Sequence, residues 1–295
     1  DAVDADAAAS GLGDTIRLRM RYGAFVPGVQ LFDATGFAVS PAEAGAMDPQ
    51  QRLLLENGYT AFHVARLFRA SMLSKNTGVY LGYSSSDFTQ VLATTPLGKS
   101  VYSATGSSPS IASGRLSYVL GLHGACAMID TACSAGLVAT SFARAALVLS
   151  DSEVASVMAV NCILSPDGAH TPFAIAGMTS ATGKCHTFDM HADGYARSEA
   201  CGASVVQTAV TSDVKKFVML EGSAVRCDGK SASLTAPNGQ AQRQVMSAAL
   251  VLAHVAPVTL TVVEAHGTGT ALGDPMEMGS VNAVVLKHRG ACAAS

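Results

Sequence analysis

Cys126-Ala-Met-Ile-Asp130, followed by Thr131-Ala-Cys-Ser-Ala-Gly136 and an apolar run to Leu149, is the stretch whose reading decides the fold. The first part is a short apolar run closed by an acid, the pattern of a buried strand. Small residues then make a tight turn, and Ser134 to Leu149 reads as a strongly apolar helix. Working outward, the same alternation recurs. Gly78-Val-Tyr-Leu-Gly82 is strand-like, Pro109 to Leu120 helical, and Ser156 to Val160 and Ala203 to Gln207 are further strands. Asp48 before Pro49 marks a helix start, because a carboxylate caps unpaired N–H groups and proline has none to lose. That helix is predicted to run through Leu53, Leu54 and Leu55 to Phe68.

After about residue 212 the pattern restarts, with strands at Phe217 to Leu220 and Val258 to Val263, a helix at Gln240 to Ala253 and a last helix starting near Pro275. Interleaved strands and helices imply an α/β protein with largely parallel, covered sheets. The expected organisation is an unpatterned acidic opening at 1–20, a first half at 21–210 carrying Cys133, and a partial second half at 211–295.

Composition narrows the function classes. Of 295 residues 49% are apolar and only 14% charged, so much surface is buried inside or against a partner. The net charge of −3 and the lack of a basic stripe give no footprint for nucleic acid. Mean hydropathy is positive, yet His254 and Pro257 interrupt one long apolar stretch and Arg144 another, so no membrane span is expected. Seven scattered cysteines without a C-x-x-C pair point to reduced thiols and an intracellular setting, cytoplasmic or organellar. The chain opens on Asp1, so a targeting sequence lost from its start is compatible with that reading.

Two segments can carry chemistry. Cys133 stands where the turn meets the helix, and there unpaired N–H groups and the helix dipole favour a thiolate and can face an oxyanion. The segment alone fits equally a small thiol packed in the core. In Val262-Val-Glu-Ala-His-Gly-Thr-Gly-Thr-Ala-Leu-Gly-Asp-Pro275, His266 opens a loop of glycines and threonines at the expected end of a strand, well placed to reach a ligand. Taken alone, a loop histidine satisfied by a carbonyl is the commoner case.

Together the two segments resemble the ketosynthase (β-ketoacyl synthase) family, of the modular polyketide synthase kind. The family's nucleophile sits in Asp-Thr-Ala-Cys-Ser, and one active-site histidine in Glu-Ala-His-Gly-Thr-Gly-Thr. Leu31-Phe-Asp33, Met47-Asp-Pro-Gln-Gln-Arg-Leu-Leu-Leu-Glu56, Gly114-Arg-Leu-Ser-Tyr-Val-Leu-Gly-Leu122, Thr187-Phe-Asp189, Asp193-Gly-Tyr195 and Leu234-Thr-Ala-Pro-Asn-Gly239 follow in the family's order. The resemblance implies a thiolase-like fold of two similar halves layered αβαβα, working as a homodimer. It also implies that Cys133 takes an acyl group from the phosphopantetheine thioester of an acyl carrier protein. Decarboxylative condensation with a malonyl-type extender follows. His266 would stabilise the enolate, Thr268 and Thr270 would touch the pantetheine arm, and no cofactor or metal is bound.

The match has gaps. The family's opening Ile-Ala-Ile-Val-Gly strand is not found before Arg21. Its second histidine, in Lys-Ser-Asn-Ile-Gly-His, and its Gly-Phe-Gly-Gly loop have no counterpart, and His288 lacks that frame. The expectation is a domain truncated at both ends, its second half incomplete, with condensation impaired in this chain alone. Each lost acid–base or electrostatic group is worth ~10²-fold or more. An alternative is a catalytically incomplete scaffold that keeps only dimerisation and carrier docking; a thiolase or chalcone-type relative is a third. Ala159 and Ala200 stand where the family favours glycine. Gly177 to Cys185 has one residue too many for a phosphate-binding loop, and Cys185, His186 and His191 fit no closed zinc spacing.

Overall fold

The structure, a computed structural model, describes residues 11–73, 75–84, 86–164, 170–208 and 218–287. The chain divides into two compact units. One comprises Ala24–Ala169 and Ser198–Phe217; the other comprises Asp1–Gly23, His170–Arg197 and Val218–Ser295.

The first unit is built on a four-stranded sheet of β1 (Thr77–Tyr83), β2 (Cys126–Ile129), β3 (Val154–Asn161) and β4 (Ala200–Gln207), in the order β2-β1-β3-β4. The first three strands run parallel, with Gly82 opposite both Ile129 and Ala159. The fourth is antiparallel, Ala159 facing Gly202. All seven residues of β1 are buried, which is why that strand reads as an unbroken apolar run. Alternate residues serve opposite faces. Val79, Leu81 and Tyr83 pack with Leu54, Leu55 and Phe62 of α1 (Pro49–Val64) and with Leu116 and Leu120 of α2 (Pro109–Leu120). Tyr80 packs with Val138, Ala139 and Ala143 of α3 (Ala135–Val148). Each fully buried large apolar side chain contributes about 1.5–3 kcal/mol.

Helix α1 starts as expected: Asp48 Oδ1 accepts the Gln50 N–H at 2.7 Å, with Pro49 in the first turn. It ends at Val64, four residues short of the predicted Phe68. Arg66 adopts φ 57°, its N–H donates to the His63 carbonyl, and the Leu67 N–H returns to the Phe62 carbonyl. This left-handed stop is a backbone event that apolar periodicity does not register.

The Asp48 carboxylate is wholly buried. Tyr83 Oη donates to its Oδ2 at 3.0 Å, and Ser86 Oγ donates to the same oxygen. Gln50 Oε1 accepts the Cys162 N–H at 3.3 Å, linking α1 to the end of β3. Burial pushes the Asp48 carboxyl up, against the hydrogen bonds from Ser86, Gln50 and Tyr83. Burial, with Glu199 and Asp48 nearby, pushes the Cys162 thiol up, and burial pushes Cys201 up to about 12. Both thiols are protonated at neutral pH.

In the second unit, Arg19 donates to the Asp193 carbonyl at 2.8 Å, tying the short helix Asp14–Met20 to that loop. Helix α4 (Gly239–Ala253) is capped by Asn238, whose side chain accepts the N–H groups of Gln240 and Ala241. Helix α5 (Gly273–Val281) begins two residues before Pro275 and runs into a π-helical turn, Asn282–Leu286. Val281, Val284 and Val285 are buried with Met246, Leu250 and Leu260 beside them.

Two expected strands are corrected here. Among described residues 218–287 no strand forms: Val218 to Leu220 are irregular, and Pro257–Thr259 is a 3-10 turn followed by irregular chain. Phe217 and His288 lie outside the described residues. A strand exists only through a neighbour's hydrogen bonds. Neither segment has a ladder partner among the described residues, and Val262 is 79% exposed. No helix among the described residues is long and apolar enough to cross a membrane.

Candidate active site

Strand β2 ends at Ile129, and the chain turns through Asp130 to Ser134 before α3 begins at Ala135. The Asp130 side chain accepts the Ala132 N–H at 2.9 Å, and Ala132 takes φ 52°, a left-handed conformation uncommon outside glycine. The Thr131 carbonyl accepts the Ser134 hydroxyl at 2.8 Å. Ala132–Ser134 is therefore a 3-10 turn with Cys133 at its centre, exposed, directly ahead of the first turn of α3. The helix was expected to begin at Ser134; it begins one residue later, at Ala135, behind a tighter turn. The N–H groups of a helix's first turn have no partner within the helix, and the dipole makes that end electropositive. A thiolate or an oxyanion is favoured there.

His266, Thr268 and Thr270 share one loop in the other unit. Two carboxylates of α5 hold it. Glu277 Oε1 accepts the His266 N–H at 2.6 Å and Oε2 accepts the Gly267 N–H at 2.9 Å. Asp274, only 4% exposed, accepts the Gly269 N–H at 3.1 Å on one oxygen and the Phe188 N–H at 2.7 Å on the other. Thr270 Oγ1 accepts the Gly273 N–H at 3.2 Å and lies 3.3 Å from Thr268 Oγ1, so the threonine pair sits against the start of α5.

The loop is glycine-rich for a reason. Gly269 has φ 70°, and a Cβ there would lie 2.9 Å from the His186 nitrogen. Its carbonyl accepts the Gly194 N–H, and the Gly267 carbonyl accepts Thr187 Oγ1. The segment around 186–194 thus braces the histidine loop from outside. Asp193 within it is held below the usual carboxylate range. Burial pushes it up, but hydrogen bonds from Ser180 and the Ala181 N–H outweigh that, aided by Arg19 and His186.

Sequence reasoning picked out Cys133, His266, Thr268 and Thr270 but passed over Asp274 and Glu277. Their signal was present: two acids three apart, at the start of a predicted helix, lie on one face. Among the described residues no group of three or more His, Cys, Asp or Glu side chains is arranged to hold a metal.

The comparisons with known proteins define first the class. The chain superposes on the ketosynthase from module 6 of the Bacillus subtilis 168 bacillaene synthase with a TM-score of 0.85 at 30% identity, covering 97% of this chain and 49% of that one. On the oxazolomycin ketosynthase domain of Streptomyces albus JA3453 the TM-score is 0.80 at 31% identity, covering 88% and 46%. The fold is thiolase-like α/β. Residues 4–211 match the family of the Beta-ketoacyl synthase, N-terminal domain, and residues 217–295 that of the C-terminal domain. The chain belongs to the β-ketoacyl synthase family.

Among curated proteins it is 41% identical over 292 residues to one of the phenolphthiocerol/phthiocerol polyketide synthase subunits of Mycobacterium tuberculosis. To another subunit of that synthase, from the same organism, it is 41% identical over 282 residues. The matches cover 97% and 94% of this chain, but only 16% and 18% of those much longer polypeptides.

Proposed function

We propose that this chain carries the acyl-accepting and part of the condensing machinery of a polyketide-type ketosynthase, a 3-oxoacyl-(acyl carrier protein) synthase in reaction type. Cys133 Sγ, as the thiolate, attacks the carbonyl carbon of an acyl thioester on a carrier protein's phosphopantetheine. The carbon–sulfur bond to pantetheine breaks, and that sulfur leaves as a thiol with the proton Cys133 gave up. The Cys133 N–H faces the oxyanion.

A malonyl-type extender then loses its carboxylate as carbon dioxide, and the electron pair stays on its α-carbon as an enolate. His266 donates a hydrogen bond to the extender's thioester oxygen, while Thr268 and Thr270 contact the pantetheine arm. The α-carbon attacks the acyl-Cys133 carbonyl, a carbon–carbon bond forms and the Cys133 thiolate departs. The product is a β-ketoacyl thioester. The acyl carrier protein is the partner, and the working form is a homodimer.

The observation that carries this reading is Cys133 itself, exposed in a tight turn ahead of a fourteen-residue helix. The experiment is intact-mass spectrometry after exposure to a short acyl-pantetheine thioester, beside a Cys133→Ala control. One adduct, absent from the control, is expected. A folded chain with no adduct, or with the adduct retained in the control, refutes the assignment of Cys133.

A further inference from the structure

One row of the sheet runs Ile129, Gly82, Ala159, Gly202 across the four strands. Residues aligned in a row share a face, and the face of Gly82 is the one on which α3 lies. A Cβ added to Gly82 would stand 2.5 Å from the Gly136 nitrogen, 2.6 Å from the Ala135 carbonyl carbon and 2.8 Å from Gly136 Cα. These are backbone atoms of the helix's first turn, and they cannot swing aside as the tip of a side chain can. From the helix side, a Cβ on Gly136 would meet Ala159 Cβ at 3.1 Å. The first turn of α3 therefore rests on the bare backbone of β1 and beside the Ala159 methyl of β3.

The connection makes this contact consequential. Strand β2 leaves the row at Ile129, and the chain returns over the adjacent strand at Gly136, three residues beyond Cys133. The turn that carries Cys133 is thus anchored at both ends to a single row.

We infer that Gly82 is a positioning residue for Cys133: its missing side chain sets the height at which the first turn of α3 lies over the sheet. That height fixes where Cys133 Sγ and the Cys133 N–H stand. This inference rests on the reading of Cys133 as the nucleophile.

A methyl at position 82 has to move the first turn by about 1 Å to restore ordinary contact at ~3.5 Å. A misplacement of that size costs an enzyme on the order of 10²-fold in rate. It also changes the relation of the sulfur to the N–H groups that favour a thiolate. Gly202 provides a matched control. It lies in the same row on β4, and a Cβ there meets nothing within 4 Å.

The test compares Gly82→Ala, Gly136→Ala and Gly202→Ala in the full chain, each checked for folding by circular dichroism and urea melts. Two rates are read at Cys133 by site-resolved mass spectrometry: acylation by an acyl-pantetheine thioester, and iodoacetamide alkylation as a function of pH. Gly82→Ala is expected to lower acylation by ~10²-fold and to move the alkylation profile to higher pH. Gly136→Ala moves both in the same direction by less, and Gly202→Ala moves neither.

Wild-type rates and profile in a folded Gly82→Ala overturn the inference. If Gly82→Ala does not fold, Gly136→Ala decides, and its equivalence to Gly202→Ala overturns it. A wild-type chain that is never acylated, yet whose alkylation profile depends on residue 82, sinks the nucleophile reading and leaves the positioning role standing. Acylation indifferent to residue 82 does the reverse.

Discussion

Removing Glu277 tests how the histidine loop is held. Glu277→Ala deletes two charge-assisted hydrogen bonds, to the His266 and Gly267 N–H groups. Hydrogen bonds to charged groups are each worth ~1.5–3 kcal/mol net. His266 is exposed and Gly267 half-buried, so water recovers part of that loss, and a destabilisation of about 2 kcal/mol is expected. Glu277→Gln keeps one acceptor oxygen but turns an amide NH2 toward the other N–H, for a loss of about 1 kcal/mol. The assay has two parts. Urea unfolding reads the stability, and in the same preparation acylation of Cys133 is compared with decarboxylation of a malonyl-pantetheine thioester. Decarboxylation, in which the proposed mechanism uses the His266 side chain, is expected to fall by ~10²-fold if the loop moves by about 1 Å. Acylation of Cys133 stays within a few-fold. Unchanged stability in Glu277→Ala, or equal losses in both half-reactions, refutes the view that this carboxylate positions His266.

Two further predictions concern stability. Burial holds the Asp48 carboxyl above its ordinary 3.8, so its contribution is fullest below that value and is lost as pH rises through the folded-state value. Asp48→Asn should therefore gain on the wild type as pH is raised from 4 toward 7, and a pH-independent difference in urea melts would sink the idea. Asn238→Ala removes the acceptor for the first N–H groups of α4 together with the amide N–H that donates to the Asp228 carbonyl at 2.7 Å, and should cost about 1–2 kcal/mol. Asn238→Asp keeps the cap but not that donor and should restore only part, and a melt that Asn238→Ala leaves unmoved would show that the cap contributes nothing.

Local information was enough for the four strands of the first unit and the starts of α1 and α2, but not for the end of α1 or the short helices Pro41–Ala46 and Phe88–Ala93. Pro109–Leu120 is bounded on the page by a proline at its start and by Gly121 at its end, and Gly121 takes φ 71° as a helix stop requires. β1 and β3 announce themselves as apolar runs because both faces of each are covered. The acid-proline pair at Asp48 acts within three residues of itself, so its cap was legible. The segment Val258 to Val263 misled for the complementary reason. Its composition favours a strand, but pairing is a property of two segments, and among the described residues the second is absent.

The sequence by itself determined that the protein is α/β, where α1 and α2 start, and that a cysteine at a strand–turn–helix junction and a histidine in a Gly/Thr loop are the residues to examine. Those are short-range facts, set by periodicity, capping and turn chemistry. Only the tertiary structure decided the sheet order β2-β1-β3-β4 and the reversal of its last strand. It alone placed Asp274 on the N–H of Phe188, 86 residues away, and the backbone of α3 on Gly82. These contacts join segments far apart in the chain. Which partner each finds depends on how all the apolar faces are buried at once, and no single stretch of sequence records that.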